Sequence, residues 1–481
     1  MAVVAGVDSS TQSTTVVLRD ADSGDVLGSA SAPHPRTTPP VSEQHPDAWW
    51  AALRAALAQL PAASIDAIAV DGQGHGLVAV DAAGSVIRPA KLWNDTTSSP
   101  EAAELVAALG RRAWAERTGS APVAAFTITK LLWLRRHEPE HFARIARVML
   151  PHDWMNWRLS DHQATDRSEA SGTGYYSPAT GAYDLGLLAL VDDRMAWEPA
   201  LSRVVGPDDA VGTVTTEAAA ELGLRSGIPV APGANDNPAS ALAFGLRPGD
   251  VVVSLGTSGT VFAPHQGPVA DAQGAVNGNA DATGQFMPLV CTLNATKVTD
   301  FAARLLGVDH DGLATLALAA PPRPDRPILQ AFLDGERVPE RPGARGVLGW
   351  LRSDSTREEV ARAAFEGVLF GLSEGLLALE RLGVRTEGRL LVTGGGARSA
   401  AYRQLLADVF GRAVFFPDVG DAAAVGIAAQ AAAILRGRRV ADVSAAWAPP
   451  APVVAEPRQD QHIDEARAHY RALVAQEALD A

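Results

Sequence analysis

Hydrophobic and polar positions alternate from the first residues of the chain. Val3, Val4 and Val7 precede a polar stretch at residues 9–13, and Thr14-Thr15-Val16-Val17-Leu18 runs back, which predicts a β-hairpin. A second turn, Asp22-Ser23-Gly24-Asp25, leads into Val26-Leu27 and extends the hairpin to a meander. Over residues 46–60 the period changes: Trp49, Leu53, Ala56, Leu57 and Leu60 recur at helical spacing. Ile65-Asp66-Ala67-Ile68-Ala69-Val70 reads as a buried strand that ends at Asp71-Gly72-Gln73-Gly74-His75-Gly76. Helix and strand signals keep alternating beyond it, so the fold class is α/β. The tail, residues 459–479, predicts a last amphipathic helix.

The first hairpin has an echo. Val7-Asp8-Ser9-Ser10-Thr11-Gln12-Ser13-Thr14-Thr15-Val16-Val17 resembles Val253-Ser254-Leu255-Gly256-Thr257-Ser258-Gly259-Thr260-Val261-Phe262, about half a chain later. In both, an apolar strand enters a turn of Thr, Ser or Gly and a β-branched strand leaves. Two related domains facing one cleft would give this pattern. Two unrelated hairpins would use the same turn residues, so the repeat alone leaves both readings open. The turn Gly245-Leu246-Arg247-Pro248-Gly249-Asp250 places the boundary between residues 1–244 and 245–481. Pro-rich stretches at 320–324 and 448–452 read as loops.

Composition narrows the function. The 481 residues carry a net charge of −14, and no basic run exceeds Arg436-Gly437-Arg438-Arg439, which disfavours nucleic acid as a partner. The single cysteine, Cys291, fits a reducing compartment. The N-terminus lacks the pattern of a signal peptide, and the most apolar stretch, residues 422–435, is too short to span a bilayer. A cytoplasmic protein with no membrane partner is expected. Three lysines against thirty-eight arginines, together with the abundance of alanine, read as the imprint of a GC-rich genome rather than as chemistry.

None of the three lysines follows a glycine, so a Walker A loop is excluded, and no Gly-x-Ser-x-Gly elbow occurs. His137-Glu138-Pro139-Glu140-His141 matches a zinc-binding pattern that needs both histidines on one helical face. Pro139 interrupts such a helix and instead suits the opening of a new one.

Hairpins rich in Thr, Ser and Gly can cradle phosphates with backbone N–H groups and hydroxyls. Asp8 would repel a phosphate unless Mg²⁺ lay between them; otherwise it is a turn-initiating aspartate. A third glycine cluster, Thr393-Gly394-Gly395-Gly396-Ala397-Arg398-Ser399, sits between a strand ending at Val392 and a helix over 400–410, where a flat nucleotide ring could approach the backbone. Asn235-Asp236-Asn237-Pro238 falls at a strand–helix junction. Asp236 there is either a general base held by amide neighbours or one of the residues that cap the helix.

Together and in this order, these motifs resemble the FGGY family of sugar kinases, within the actin-like/Hsp70-like ATPase superfamily. The likeness runs over nearly the whole chain. It takes in Asp8 to Thr14, Phe126-Thr127-Ile128-Thr129-Lys130-Leu131-Leu132-Trp133, the second hairpin, Asp334-Gly335-Glu336-Arg337-Val338-Pro339 and Thr393 to Ser399. Gly72-Gln73-Gly74-His75-Gly76, Trp93-Asn94-Asp95 and Asp236-Asn237 are most similar to the xylulokinase branch. The resemblance implies two actin-like (ribonuclease H-like) domains facing a catalytic cleft, the first holding sugar and the second nucleotide. It implies Mg²⁺ and ATP as cofactors, transfer to O5 of D-xylulose, and Asp236 as general base. Asp8 would hold the metal. Gln73, Gly74, His75, Trp93, Asn94, Asp95 and Asn237 would contact sugar. Thr11, Ser13, Thr14, Gly256, Thr257 and Ser258 would surround the β- and γ-phosphates, with Gly395, Gly396 and Ala400 against the adenosine. Trp133 is expected in the core. The partner is a small sugar, with a homodimer left open. Another ketose or polyol (ribulose, glycerol, an alditol, gluconate) or a non-catalytic sugar sensor stay as alternatives.

Four positions depart from the family pattern. Thr15 stands where Lys or Arg is frequent, and Gly74 where xylulokinases often carry Met, which predicts a larger sugar pocket. Trp350 replaces a glycine, and Ala422-Ala423-Ala424-Val425-Gly426 alters a late connecting motif.

Overall fold

The computed structural model describes residues 1–458, 460 and 462–476. Among these, two seven-stranded sheets organise the chain. In the first, Val3–Ser9 pairs antiparallel with Ser13–Asp20, which pairs with Val26–Pro33, and parallel with Ile65–Gly72. In the second, Val251–Leu255 pairs antiparallel with Gly259–Phe262 and parallel with Leu390–Thr393. The same local topology thus recurs at the repeated hairpin. The α/β class and the two facing sheets follow the sequence reading. The first helix is shorter than its periodicity suggests: Pro46–Leu57 ends three residues before Leu60, where the chain turns toward Pro61. The last helix is Ile463–Val474; residues 459, 461 and 477–479 of the expected tail helix lie outside the described residues.

A lobe drawn from residues 77–201 carries its own apolar cluster, including Trp114, Phe126, Leu131 and Trp197. Within it, helix Thr127–His137 stops at Glu138 and a new helix, Pro139–Phe142, begins. His137 pairs with Glu101 and His141 with Glu138, so the zinc-like pattern is split between two helices. Trp133, expected in the core, packs against the lobe's apolar cluster from its edge: it is half-buried, with the Lys91 ammonium 3.8 Å above its ring and His137 stacked 4.9 Å away.

The two halves interlock. Helix Ala422–Arg436, from the second half, packs on strands Val3–Ser9 and Ile65–Gly72 of the first sheet and on helix Asp236–Ala243. Gln430, fully buried on that helix, accepts from Gly233 N (2.8 Å) and donates to Gly233 O (3.2 Å). Asp421 caps its N-terminus by accepting from Ala424 N at 3.1 Å. Among the described residues no helix is long and apolar enough to cross a membrane. Trp350 takes a left-handed φ of 56°, a conformation glycine adopts freely and other residues at a cost of about 1–2 kcal/mol. Its ring stacks on His469 at 4.6 Å.

Candidate active site

A cavity of about 690 Å³ opens between the two halves. One wall comes from Gly74, His75, Trp93, Asn235, Asp236 and Asn237, the other from Ser254, Gly256, Ser258, Thr260 and Arg337. It lies where the parallel strands of both sheets end, the usual place for a ligand in open α/β sheets.

Asp8 closes strand Val3–Ser9, and Asp71 stands directly beside it on the parallel strand Ile65–Gly72. Asp8 Oδ1 and both Asp71 oxygens are buried, and no protein N–H reaches them. Burial, then the negative charges of Asp421 and Asp236, hold the Asp8 carboxyl well above the usual carboxylate range. Burial and Asp8 itself do the same to Asp71. Such a pair is poorly satisfied alone and well satisfied by a divalent cation. Among the described residues no three acids, histidines or cysteines converge into an all-protein metal cage. A cation here would therefore take one or two carboxylates, with water and phosphate oxygens completing its shell, as Mg²⁺ prefers.

Asp236 opens helix Asp236–Ala243. The helix cap is neither Asp236 nor Asn237 but Asn235, whose Oδ1 accepts from Asn237 N at 3.4 Å. Asp236 Oδ1 accepts from Asn237 N (2.7 Å) and Asn237 Nδ2 (2.8 Å), which fixes the carboxylate. Burial raises its pKa above the usual value in spite of these donors. A carboxylate so held and so raised is suited to taking a proton.

His75 sits at a left-handed φ of 67°, its ring stacked on Phe126 at 5.3 Å. Burial, then the charges of Lys130 and Arg337, bring its pKa down to about 3, so the ring is neutral and offers one donor and one acceptor. Lys130 itself is buried against the carbonyls of Ala124, Ala125 and Phe126, and burial lowers its pKa to about 7. Trp93 Nε1 donates to Thr11 Oγ1 (2.9 Å), and Thr11 Oγ1 donates to Gln73 Oε1 (3.2 Å). This chain ties the first hairpin to the His75 wall.

Several expected contacts lie elsewhere. Gln73 braces the hairpin from behind and does not line the cavity. Thr14 is fully buried on the opposite face of its strand, with its hydroxyl 2.8 Å from His34 Nε2. Ser13 closes the turn through its carbonyl, which accepts from Ser10 N at 3.0 Å. Asn94 is half-buried outside the cavity lining. Asp95 is fully buried and bonded to Lys91 Nζ (3.1 Å), Ser42 N (2.8 Å) and Thr97 N (3.0 Å), a structural pairing with no access to the cleft. Thr15 lies opposite Asp8 in register and donates to Ser31. Nor does Gly74 enlarge the pocket: a Cβ there would fall 2.1 Å from Asn235 Nδ2, so the Asn235 amide fills the space.

In the second half, Gly256 and Ser258 reach the cavity, while Thr257 is exposed at the hairpin tip and its carbonyl accepts from Ala295 N. The three glycines after strand Leu390–Thr393 have separate reasons. Gly394 has φ 85°, and a Cβ would meet Leu255 O at 2.7 Å; one on Gly396 would meet Leu255 Cβ at 2.8 Å. Gly395 has nothing within 4 Å, leaving open room beside the exposed Ala400 that starts helix Ala400–Phe410.

Sequence reasoning missed Arg337, which lines the cavity, and Asp71 and Asp421, which act on Asp8 although none of these three carboxylates is among the lining residues. Asp71 ends a strand as Asp8 does, and Arg337 lies in a motif already singled out, so both had a signal. Asp421 had none beyond its helix cap.

Comparison with known proteins identifies the family. The model of the FGGY family of carbohydrate kinases, N-terminal domain, matches residues 3–243, and that of its C-terminal domain matches residues 251–435. A xylulose kinase of Streptomyces coelicolor is 44% identical over 449 residues, covering 92% of this chain and 90% of that protein. One from Streptomyces rubiginosus is 43% identical over 450 residues, with the same coverage of both. The crystal structure of xylulose kinase from Bifidobacterium adolescentis superposes with a TM-score of 0.87 at 37% identity, over 98% of this chain and 99% of that one.

Proposed function

Because the chain belongs to the FGGY family of carbohydrate kinases, we propose that it transfers the γ-phosphoryl group of Mg·ATP to O5 of D-xylulose. The observation that carries the chemistry is Asp236, a fixed carboxylate of raised pKa on the first wall of a cleft whose second wall is the Gly256–Ser258 hairpin. The choice of sugar is supported by the 43–44% identical relatives, which are xylulose kinases.

Phosphoryl transfer is mainly positioning and charge stabilisation. His75, Asp236 and Asn237 hold the sugar, and Asp236 takes the proton from the attacking hydroxyl. The backbone and hydroxyls of Thr11, Gly256 and Ser258 surround the phosphates, while Arg337 adds a positive charge to the wall that would receive them. Asp8 and Asp71 would hold Mg²⁺, which when bound would neutralise phosphate charge. Gly395 lies against the adenosine. Residues 1–244 thus contribute most of the sugar site and residues 245–481 most of the nucleotide site. Closing the halves brings donor and acceptor together and excludes water that would hydrolyse ATP.

The test is ADP release with ATP and Mg²⁺ against a panel of ketoses, alditols and gluconate. Preference for D-xylulose supports the reading. Preference for another sugar keeps the mechanism and overturns the substrate, and a folded, ATP-binding protein silent on every sugar overturns both.

A further inference from the structure

The wall beside His75 is built from an unusual exchange. Gly74 offers no side chain, and its place is taken by the carboxamide of Asn235, reaching across from the strand–helix junction. Three bonds hold Asn235. Its backbone N donates to Ser168 Oγ (3.0 Å), its Oδ1 caps the following helix, and its Nδ2 donates to Glu169 Oε2 at 2.8 Å. Ser168 is itself fixed by donating to Asp166 Oδ2 at 2.6 Å. Glu169 is fully buried, and its Oε1 has no partner. The second N–H of Nδ2 has no protein acceptor among the described residues, and Gly74, His75, Ser168 and Asn235 all line the cleft.

We propose that Asn235 is a sugar-binding residue of this chain: its amide, held by Glu169 and admitted by the absent side chain of Gly74, donates a hydrogen bond to a substrate hydroxyl. This rests on the sugar-kinase reading of the cleft. An apolar side chain at position 74 would make that wall hydrophobic. A pre-fixed amide makes it polar and selective for a hydroxyl, because a sugar lacking that group would leave the buried N–H unpaired. Gly74 and Asn235 therefore form one unit, in which a side chain on the first requires a smaller residue at the second.

Asn235→Ser keeps a helix cap and removes the amide, while Gly74→Ala displaces it. For Asn235→Ser the expected result is a sugar KM raised about tenfold, the worth of one hydrogen bond, with the ATP KM unchanged. Discrimination against one monodeoxy ketose should be lost as well. Gly74→Ala should lower kcat/KM for sugar by about tenfold or more, and the double variant should be no worse than Asn235→Ser, because both remove the same contact. A wild-type sugar KM in Asn235→Ser, or losses that multiply in the double variant, overturns the assignment. If Gly74→Ala does not fold, Asn235→Ser and the deoxyketose panel decide alone. A wild-type protein that binds no sugar overturns the kinase reading and this contact together. A working kinase indifferent to Asn235 overturns the contact only.

Discussion

Replacing Asp236 with asparagine separates what the carboxylate does for catalysis from what it costs the fold. Asparagine keeps an Oδ1 in the place where Asn237 N and Nδ2 donate at 2.7 and 2.8 Å, so the helix start and the cleft wall are preserved. What is lost is the ability to take a proton, which for a positioned general base is worth about 10²–10⁴ in rate. The turnover of Asp236→Asn should fall by that factor while the ATP KM stays within a few-fold. Stability should move the other way. Burial raises the Asp236 pKa in the folded state, so folding favours the protonated carboxyl. That contribution is complete below the carboxylate range of the unfolded chain and is lost as pH rises through the folded value. At pH 7, above the carboxylate range of the unfolded chain, folding the wild type carries an electrostatic cost that the uncharged variant does not meet. Without substrates or Mg²⁺ the variant should therefore melt higher than the wild type at pH 7, and the gap should shrink toward pH 4. Coupled ADP release and thermal melts at the two pH values measure both halves. Turnover within tenfold of wild type refutes Asp236 as the base, and a lower melting point at pH 7 refutes the electrostatic reasoning.

His75→Asn, which tolerates the left-handed backbone at φ 67°, should raise the sugar KM about tenfold and leave the ATP KM alone; an equal rise in both removes His75 from the sugar wall. Gly394→Ala places a Cβ 2.7 Å from Leu255 O at positive φ and should destabilise the second half by about 3 kcal/mol or more, read by urea unfolding, whereas Gly395→Ala should unfold as wild type and only raise the ATP KM. Gln430→Leu leaves the buried N–H and C=O of Gly233 unpaired, a loss of about 2–5 kcal/mol visible in the same urea titration.

What could be read from the sequence was what neighbouring residues decide. The two hairpins were legible because strand period and turn residues are local, and the helix over 400–410 because a glycine cluster precedes it. The resemblance places Thr14 at the phosphates with Thr11 and Ser13, although alternation along a strand already sends it to the opposite face, where His34 meets it. Asp95 looked like part of a sugar motif because its bond to Lys91, one helical turn's spacing away in sequence, is a pairing that only the folded loop makes. Asp71 became a site residue only through the register that sets it beside Asp8, and Asp421 only through a helix that returns to the first sheet late in the chain. The left-handed backbone of Trp350 leaves no trace in its own sequence; the only signal is the family pattern, in which the resemblance implies a glycine there.

The alanine-rich stretch shows how composition and chemistry can coincide. Residues 422–435 read as a weakly apolar segment in a genome that favours alanine. In the fold they form the helix joining the second half to the first sheet, and contact there is backbone to backbone. A Cβ on Gly426 would fall 1.9 Å from Ala239 O, and one on Gly6 would fall 2.0 Å from Ala424 O. A side chain at Gly426 would push this helix off helix Asp236–Ala243, and one at Gly6 would push it off strand Val3–Ser9. Those two elements carry Asp8 and Asp236, while the crossing helix itself begins at Asp421. The placing of these three carboxylates thus depends on the small residues between these elements. At Gly426 and Gly6 the geometry therefore leaves no room for a side chain, while Val425, Ile427 and Gln430 are buried elsewhere on the same helix.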